Sequence, residues 1–184
     1  MIRNELIGMT RKIEVIPPQK IWLKQFEQEK SLLEEIFTKQ IIAIHHIGST
    51  AIKNIKAKPV IDILLVVKKI QIIDNYNQVM TKNGYECLGE NGLLGRRFFS
   101  KGGDNRSHHL HVFQDGNPEI LRHLLFRDFM NSHVEAAEAY SQLKIELANK
   151  FPEDAESYSA GKDEFIKNID QQAEKWDAAR SEQL

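Results

Sequence analysis

Apolar and polar positions alternate with two different periods along this chain, and the change of period marks its elements. Residues 11–18, "RKIEVIPP", alternate and then stop at two prolines. Proline cannot donate to a sheet ladder, so this stretch predicts a short edge strand. In the following 22 residues, Ile21, Trp22, Phe26, Leu32, Leu33 and Ile36 recur at helical spacing, which predicts a helix over 19–40 with Trp22 and Phe26 packed in the core. "IIAIHHIG", 41–48, is β-branched and ends at glycine, a strand. "PVIDILLVV", 59–67, is apolar on both faces, as a central strand of a covered sheet would be. Residues 70–84 predict a helix stopped by Gly84. "RRFFSKG", 96–102, and "SHHLHVF", 107–113, predict an antiparallel hairpin around "KGGDN". From Pro118 onward the period is helical, over 118–133, 134–151 and 163–180, with Pro118 near the first helical position. Strands first and helices last predict an α+β fold: a mixed sheet of about four or five strands covered by helices, with a helical C-terminal third. No repeat, low-complexity tract or Gly/Ser linker divides the 184 residues, so one domain over 1–184 is expected, its core about 13–176.

Composition narrows the class. The chain carries 25 basic and 26 acidic residues, net charge −1, so no whole-chain electrostatic footprint for DNA or an anionic membrane is present. Its single cysteine, Cys87, rules out an intrachain disulfide and suits a reducing compartment. The opening residues 1–12 lack the apolar core of a signal peptide, and no apolar run is long enough to span a bilayer. A cytoplasmic location is expected.

Two stretches carry candidate chemistry. Gly48, Ser49 and Thr50 follow a strand directly. Glycine permits a tight turn, a hydroxyl can cap the next helical turn, and outward backbone N–H groups can hold an anion; an ordinary strand-to-helix turn would use the same residues. Asp62 lies within an apolar strand, sharing one face with Leu64 and Val66. An ionised carboxylate there must be paired, hydrogen-bonded or metal-bound. It is either a structural partner of Lys58 or an arginine, or a metal ligand or general base at a cleft mouth. On the "HHLHVF" strand His109 and His111 share a face and could converge on a metal ion or a phosphate, or lie as polar residues on a half-exposed strand. His45 and His46 point to opposite faces and are expected to be structural. Lys58, Arg96, Arg97, Lys101 and Arg106 flank these strands and suit an anionic ligand, although solvated charge explains any one of them.

Taken in order, "HIGSTAIKNIKAKPVIDILLVV", "RRFF…HHLHVF", "FRDFMNSHVEAAEAYSQLKIELANKF" and "YSAGKDEFIKNIDQQAEKW" resemble the GrpB family of the nucleotidyltransferase superfamily, from about Ile13 to Trp176. The resemblance implies a nucleotidyltransferase fold, with Gly48 and Ser49 on nucleotide phosphates and Asp62 as first metal-binding carboxylate, separated from Ser49 by twelve residues. It departs from the superfamily pattern at the second carboxylate, which is Leu64, and at the third, expected near His109 or His111.

The resemblance therefore implies an enzyme that transfers a nucleotidyl group from an NTP with a divalent ion, Mg²⁺ or Mn²⁺. In that reading Asp62, His109 and His111 hold the metal, Asp62 and His111 are catalytic, and Gly48, Ser49, Thr50, Lys58, Arg97, Arg106 and His109 bind ligand. The alternative is a non-catalytic module that binds a nucleotide or other phosphorylated small molecule on the same scaffold. A third reading is a metal-dependent phosphohydrolase built on "HHLHV". Some relatives are fused to dephospho-CoA kinase, which connects the family with nucleotide or coenzyme A metabolism.

Overall fold

The computed structural model describes residues 12–181. Arg11, and the opening segment considered for a signal peptide, lie outside the described residues except for Lys12. The chain forms a five-stranded mixed sheet with helices packed on both of its faces. In chain order the elements are α1 (Ile21–Phe37), β1 (Ile41–Ile47), β2 (Ile61–Val67), α2 (Asn77–Lys82), β3 (Tyr85–Cys87), β4 (Arg96–Lys101), β5 (His108–Gln114), α3 (Pro118–Ser132), α4 (Val134–Lys150), α5 (Ala155–Ala160) and α6 (Asp163–Ser181). The expected α+β class and helical C-terminal third are observed.

The sheet order is β1-β2-β5-β4-β3. The β2/β5 pair is parallel and the other neighbours are antiparallel. β2 is therefore an interior strand, which explains its continuous apolar run: Asp62 is its one residue that is not fully buried. Strand parity sorts the side chains into two layers. Ile61, Ile63, Leu65 and Val67 join Leu110, Val112 and Phe99 beneath α1, whose Trp22, Phe26, Leu33 and Phe37 fill the same core. On the other face Leu64, Val66, Phe113 and Ile47 meet Ile120 and Leu124 of α3. A second helical core joins α3, α4 and α6 through Phe129, Tyr140 and Ile169.

Several boundaries differ from the sequence reading. The stretch ending at Pro17 and Pro18 makes a single bridge, Ile16 to Ala57, and no sheet strand, because the two prolines leave no donors to extend it. The helix over 70–84 is a 3₁₀ segment over 70–76 followed by α2, with Gly84 at φ +83° just beyond the end, as anticipated. β3, three residues at the sheet edge, and the six-residue α5 have no counterpart in the sequence pattern. The β4/β5 hairpin forms as expected. Asn117 caps α3 by accepting from the Glu119 amide, with Pro118 following it in the first turn,.

Glu29 explains how α1 is locked to the sheet. Its buried carboxylate accepts from Tyr85 Oη at 2.8 Å and from Lys101 Nζ at 2.7 and 2.8 Å. Lys101 is thus consumed by a structural pair. Burial and the adjacent Glu29 charge push the Tyr85 hydroxyl's pKa far up. Tyr85→Phe removes one donor from a buried charge and should cost about 1.5–3 kcal/mol in urea unfolding, with an unchanged m-value.

Candidate functional site

Gly48 ends β1 at φ +69° and ψ −171°, backbone territory that is essentially glycine's alone. A Cβ at this position would overlap Oδ2 of Asp62. The glycine and the carboxylate are thus packed surface to surface, and this is the physical link between the turn and the lone acid. After Gly48 comes a single 3₁₀ turn over Ser49–Ala51 with no side-chain cap. Ser49 lies beside the Tyr140 hydroxyl of α4, whose pKa burial pushes up to about 12. Thr50 points inward: its hydroxyl donates to the Val60 carbonyl at 3.5 Å and accepts from His46 Nε2 at 2.9 Å. Thr50 is therefore a buried brace, and its expected contact with a ligand is not supported by its position.

Neighbouring helices fix this connection. Lys53 N donates to Asn131 Oδ1, Asn131 Nδ2 donates to the Ala51 carbonyl, and Lys56 N donates to Ser141 Oγ. His46 stacks on Phe26 at 4.8 Å between centroids, and burial lowers its pKa to about 4. It is structural, as its strand position implied.

Asp62 sits opposite His109 in the parallel β2/β5 register, and Leu64 opposite His111, so one face brings the carboxylate and both imidazoles together. His109 Nδ1 lies 3.1 Å from Asp62 Oδ1, and His111 Nε2 lies 3.9 Å from the same oxygen. Burial alone would raise the Asp62 pKa. Hydrogen bonds and charge from His109 and His111 prevail and hold it far below the usual carboxylate range,. Behind His111, Arg96 Nη1 approaches its Nδ1 at 3.5 Å. His123 of α3 packs edge-on against the His111 ring at 5.3 Å, its pKa lowered to about 3 by burial and then by the His111 and Arg122 charges.

The trio does not fit the expected divalent ion in this arrangement. His109 Nδ1 is engaged with Asp62 at 3.1 Å and His111 Nδ1 with Arg96 at 3.5 Å. Among the described residues no group of three or more His, Cys, Asp or Glu is placed to hold a metal ion. Mg²⁺, which takes oxygen ligands, finds one carboxylate here and two nitrogens.

Arg97 is not brought to the site. One residue out of phase with Arg96 and Phe98, it projects to the opposite face of the sheet, where it forms a two-point pair with Asp74 at 2.7 and 2.9 Å. Lys58, Arg106 and His109 do meet, lining a cleft of about 590 Å³ with Lys12, Glu14 and Glu153.

The residues that sequence reasoning missed come from the C-terminal helices. Lys144 of α4 is 2% exposed, and its Nζ has no hydrogen-bond partner. It lies 4.5 Å over the Tyr140 ring. Its pKa is lowered to about 7, by burial first and then by the like charge of Lys162, against the pull of Asp62. Lys162, just after α5, falls to about 8 by burial and the repulsion of Lys58. Lys58 and Lys162 both stand over the ring of Tyr158, at 4.8 and 4.7 Å. Lysines from three separate segments thus crowd one place, and Lys144 and Lys162 lie within electrostatic reach of Asp62. One signal in the sequence was legible: Lys144 falls on the stripe Ala137, Tyr140, Leu147, Ala148 that buries α4, where a charge has no structural reason to be.

The family model described as "GrpB protein" matches residues 12–172. The chain belongs to the GrpB family. It is 48% identical over 142 residues to UPF0157 protein YqkA of Bacillus subtilis (strain 168), a match covering 77% of this chain and 41% of YqkA. The chain thus spans about two fifths of that relative's length. It is 34% identical over 153 residues to the glutamate-rich protein GrpB of Alkalihalophilus pseudofirmus, covering 80% of this chain and 88% of that protein. Among solved structures, that of conserved protein GrpB from Enterococcus faecalis superposes with a TM-score of 0.84 at 40% identity, covering 87% of this chain and 96% of the other. The fold of this chain is therefore one already seen in a relative. No described helix is long and apolar enough to cross a membrane.

Proposed function

We propose that this protein binds a phosphorylated small molecule of the nucleotide class, its phosphates seated between the Gly48–Ser49 turn and the lysines Lys58, Lys144 and Lys162. The observation that carries this reading is Lys144, a buried ammonium with no hydrogen-bond partner, held beside a second depressed lysine. Such an arrangement destabilises the ligand-free fold and becomes favourable only when an anion enters. The nucleotide class comes from the family resemblance, and the charge of the pocket supports the phosphate part of it. Nucleotidyl transfer is the chemistry to look for here, since Asp62 and two imidazoles border the same place; with Leu64 and His111 where further carboxylates would stand, the two-metal route lacks its ligands.

The test is thermal unfolding with ATP, GTP, CTP, UTP, inorganic tripolyphosphate and adenosine, each in EDTA, in Mg²⁺ and in Mn²⁺. A ligand at a hundred times its Kd adds about 2.7 kcal/mol, or roughly 5–10 °C for a chain of this size. Tripolyphosphate should reproduce part of the shift and adenosine none. The Lys58→Ala/Lys162→Met double variant should lose the shift, while Arg97→Ala, on the far face, should keep it. A panel in which no phosphorylated compound moves the Tm would defeat the reading.

A further inference from the structure

A second cavity, of about 360 Å³, lies in the helical third of the chain and shares no lining residue with the phosphate site. Phe129 of α3 and Ile169 of α6, both buried, form its base, and Ala136 of α4 and Phe165 of α6 its half-buried sides. Its rings are fixed in advance. His133, the one non-helical residue between α3 and α4, stacks on Phe129 at 3.8 Å between centroids. Its Nδ1 is held 2.8 Å from the Phe129 carbonyl, and Trp176 meets it edge-on at 5.6 Å. Phe165 stacks in turn on the buried Tyr140 at 5.3 Å and 11°. Rings locked in this way lose little freedom when a flat ligand packs on them. The rim is polar. Asn168 and Gln172 stand one turn apart on α6, exposed, with Gln172 Nε2 donating to Asn168 Oδ1 at 2.9 Å. That bond leaves the Asn168 amide N–H and the Gln172 carbonyl for a ligand, and turning both amides over leaves the reverse pair. In either orientation one donor and one acceptor stand side by side at the mouth. Glu135 is the one carboxylate of the lining, and no lysine or arginine joins it. A phosphate or carboxylate therefore meets no lysine or arginine here, in contrast to the lysine-rich site. The volume stands at the small end of the usual range for ligand sites, about 300–1,000 Å³, which suits one ring and its substituent and not a nucleoside.

We propose that this cavity is a second binding site, for an uncharged single-ring amide: a flat six-membered ring with C=O and N–H on one edge, as in nicotinamide, benzamide or uracil. The ring packs against His133 and Phe165. Its carbonyl accepts from the free amide N–H of the rim pair, and its N–H donates to the free carbonyl. Three features of the cavity select this class together. The aromatic sides favour a flat ring, the rim pair asks for a donor and an acceptor on one edge, and Glu135 without a basic partner disfavours an anion. The site stands independently of the phosphorylated-ligand reading, and either can fail without the other.

The experiment follows the indole N–H signals in ¹H–¹⁵N correlation spectra of the whole chain. There are two tryptophans. Trp22 lies in the core beneath α1 and Trp176 borders His133, and Trp22→Phe assigns them. Nicotinamide, benzamide and uracil are titrated separately. At least one should move the Trp176 signal saturably and leave Trp22 in place. Benzoate exchanges the N–H for a second acceptor and adds a negative charge, and cyclohexanecarboxamide keeps the amide without the flat ring; neither should move Trp176. Asn168→Ala and Gln172→Ala, at exposed positions, should each weaken the binding by about 2–10-fold. Ala136→Phe fills the cavity and should abolish binding; should that variant fail to fold, the rim variants still decide. Lys58→Ala/Lys162→Met should bind the amide as the wild type does. Trp176 unmoved by all three amides, benzoate acting as well as benzamide, or an affinity unchanged in both rim variants would each overturn the site.

Discussion

At pH 6, Lys144→Met should make the protein more stable and unresponsive to phosphorylated compounds. Met is close to the lysine stem in length and its thioether packs well against aromatic rings such as Tyr140, so the substitution removes charge with little change of shape. The sign comes from the two proton affinities. The amine ordinarily titrates at 10.5 and in the fold at about 7. Between these values the unfolded chain holds a proton that the folded chain has shed, so stability rises with pH across that window. Below pH 7 the penalty is fully present, because both states are charged and one of them is buried. Each pH unit is worth 1.36 kcal/mol, so the gain from Lys144→Met should be on the order of 2–4 kcal/mol at pH 6 and should shrink toward pH 10. In Tm that is roughly 5–15 °C. Asp62, Lys162 and Tyr140 face the same amine. Urea unfolding at pH 6, 8 and 10 reads the stability, and ATP or tripolyphosphate added at pH 6 reads the function. A variant destabilised at pH 6 would mean that Lys144 is a satisfied structural residue, and the anion site would lose its main support.

That trade between stability and binding explains which parts of this molecule were legible in advance. The strands 41–48 and 59–67, the hairpin and the C-terminal helices announce themselves through periodicity, because each must present a continuous apolar stripe to a core. So does Asp62, a charge in a strand buried on both faces. β3 and α5 do not, since three or six residues are too few to show a period. The site was only half visible for a different reason. Asp62, His109 and Gly48 lie within recognisable strand and turn patterns, and parity alone puts His109 and His111 on one face. Their convergence on Asp62, though, depends on β5 pairing in parallel with β2, which no local pattern encodes. Arg97 shows the cost of ignoring parity: adjacent Arg96 reaches His111, whereas Arg97 reaches Asp74 on the far side. Lys144 and Lys162 come from residues 80 or more positions beyond Asp62, and only folding places them beside it.

Gly48→Ala should be strongly damaging, lowering stability by on the order of 2–5 kcal/mol. Two separate costs combine. Any L side chain is strained at φ +69° and ψ −171°, and the new methyl would overlap Asp62 Oδ2 and approach its Cβ and Cγ at 2.8 and 2.9 Å. The carboxylate cannot simply retreat, because its other oxygen is held by His109. The steric part can be isolated by a double-mutant cycle. Asp62→Ala shortens the side chain, so Gly48→Ala in that background should cost about 1–3 kcal/mol less than in the wild type, leaving the backbone strain alone. The same cycle separates the turn's two roles. If steric contact with Asp62 is what demands glycine, the ¹⁵N signal of His109 in Gly48→Ala should report a displaced carboxylate. Strict additivity of the two substitutions, with His109 undisturbed, would show that the glycine serves only the backbone bend, and that the turn and the carboxylate are neighbours without being mechanically coupled.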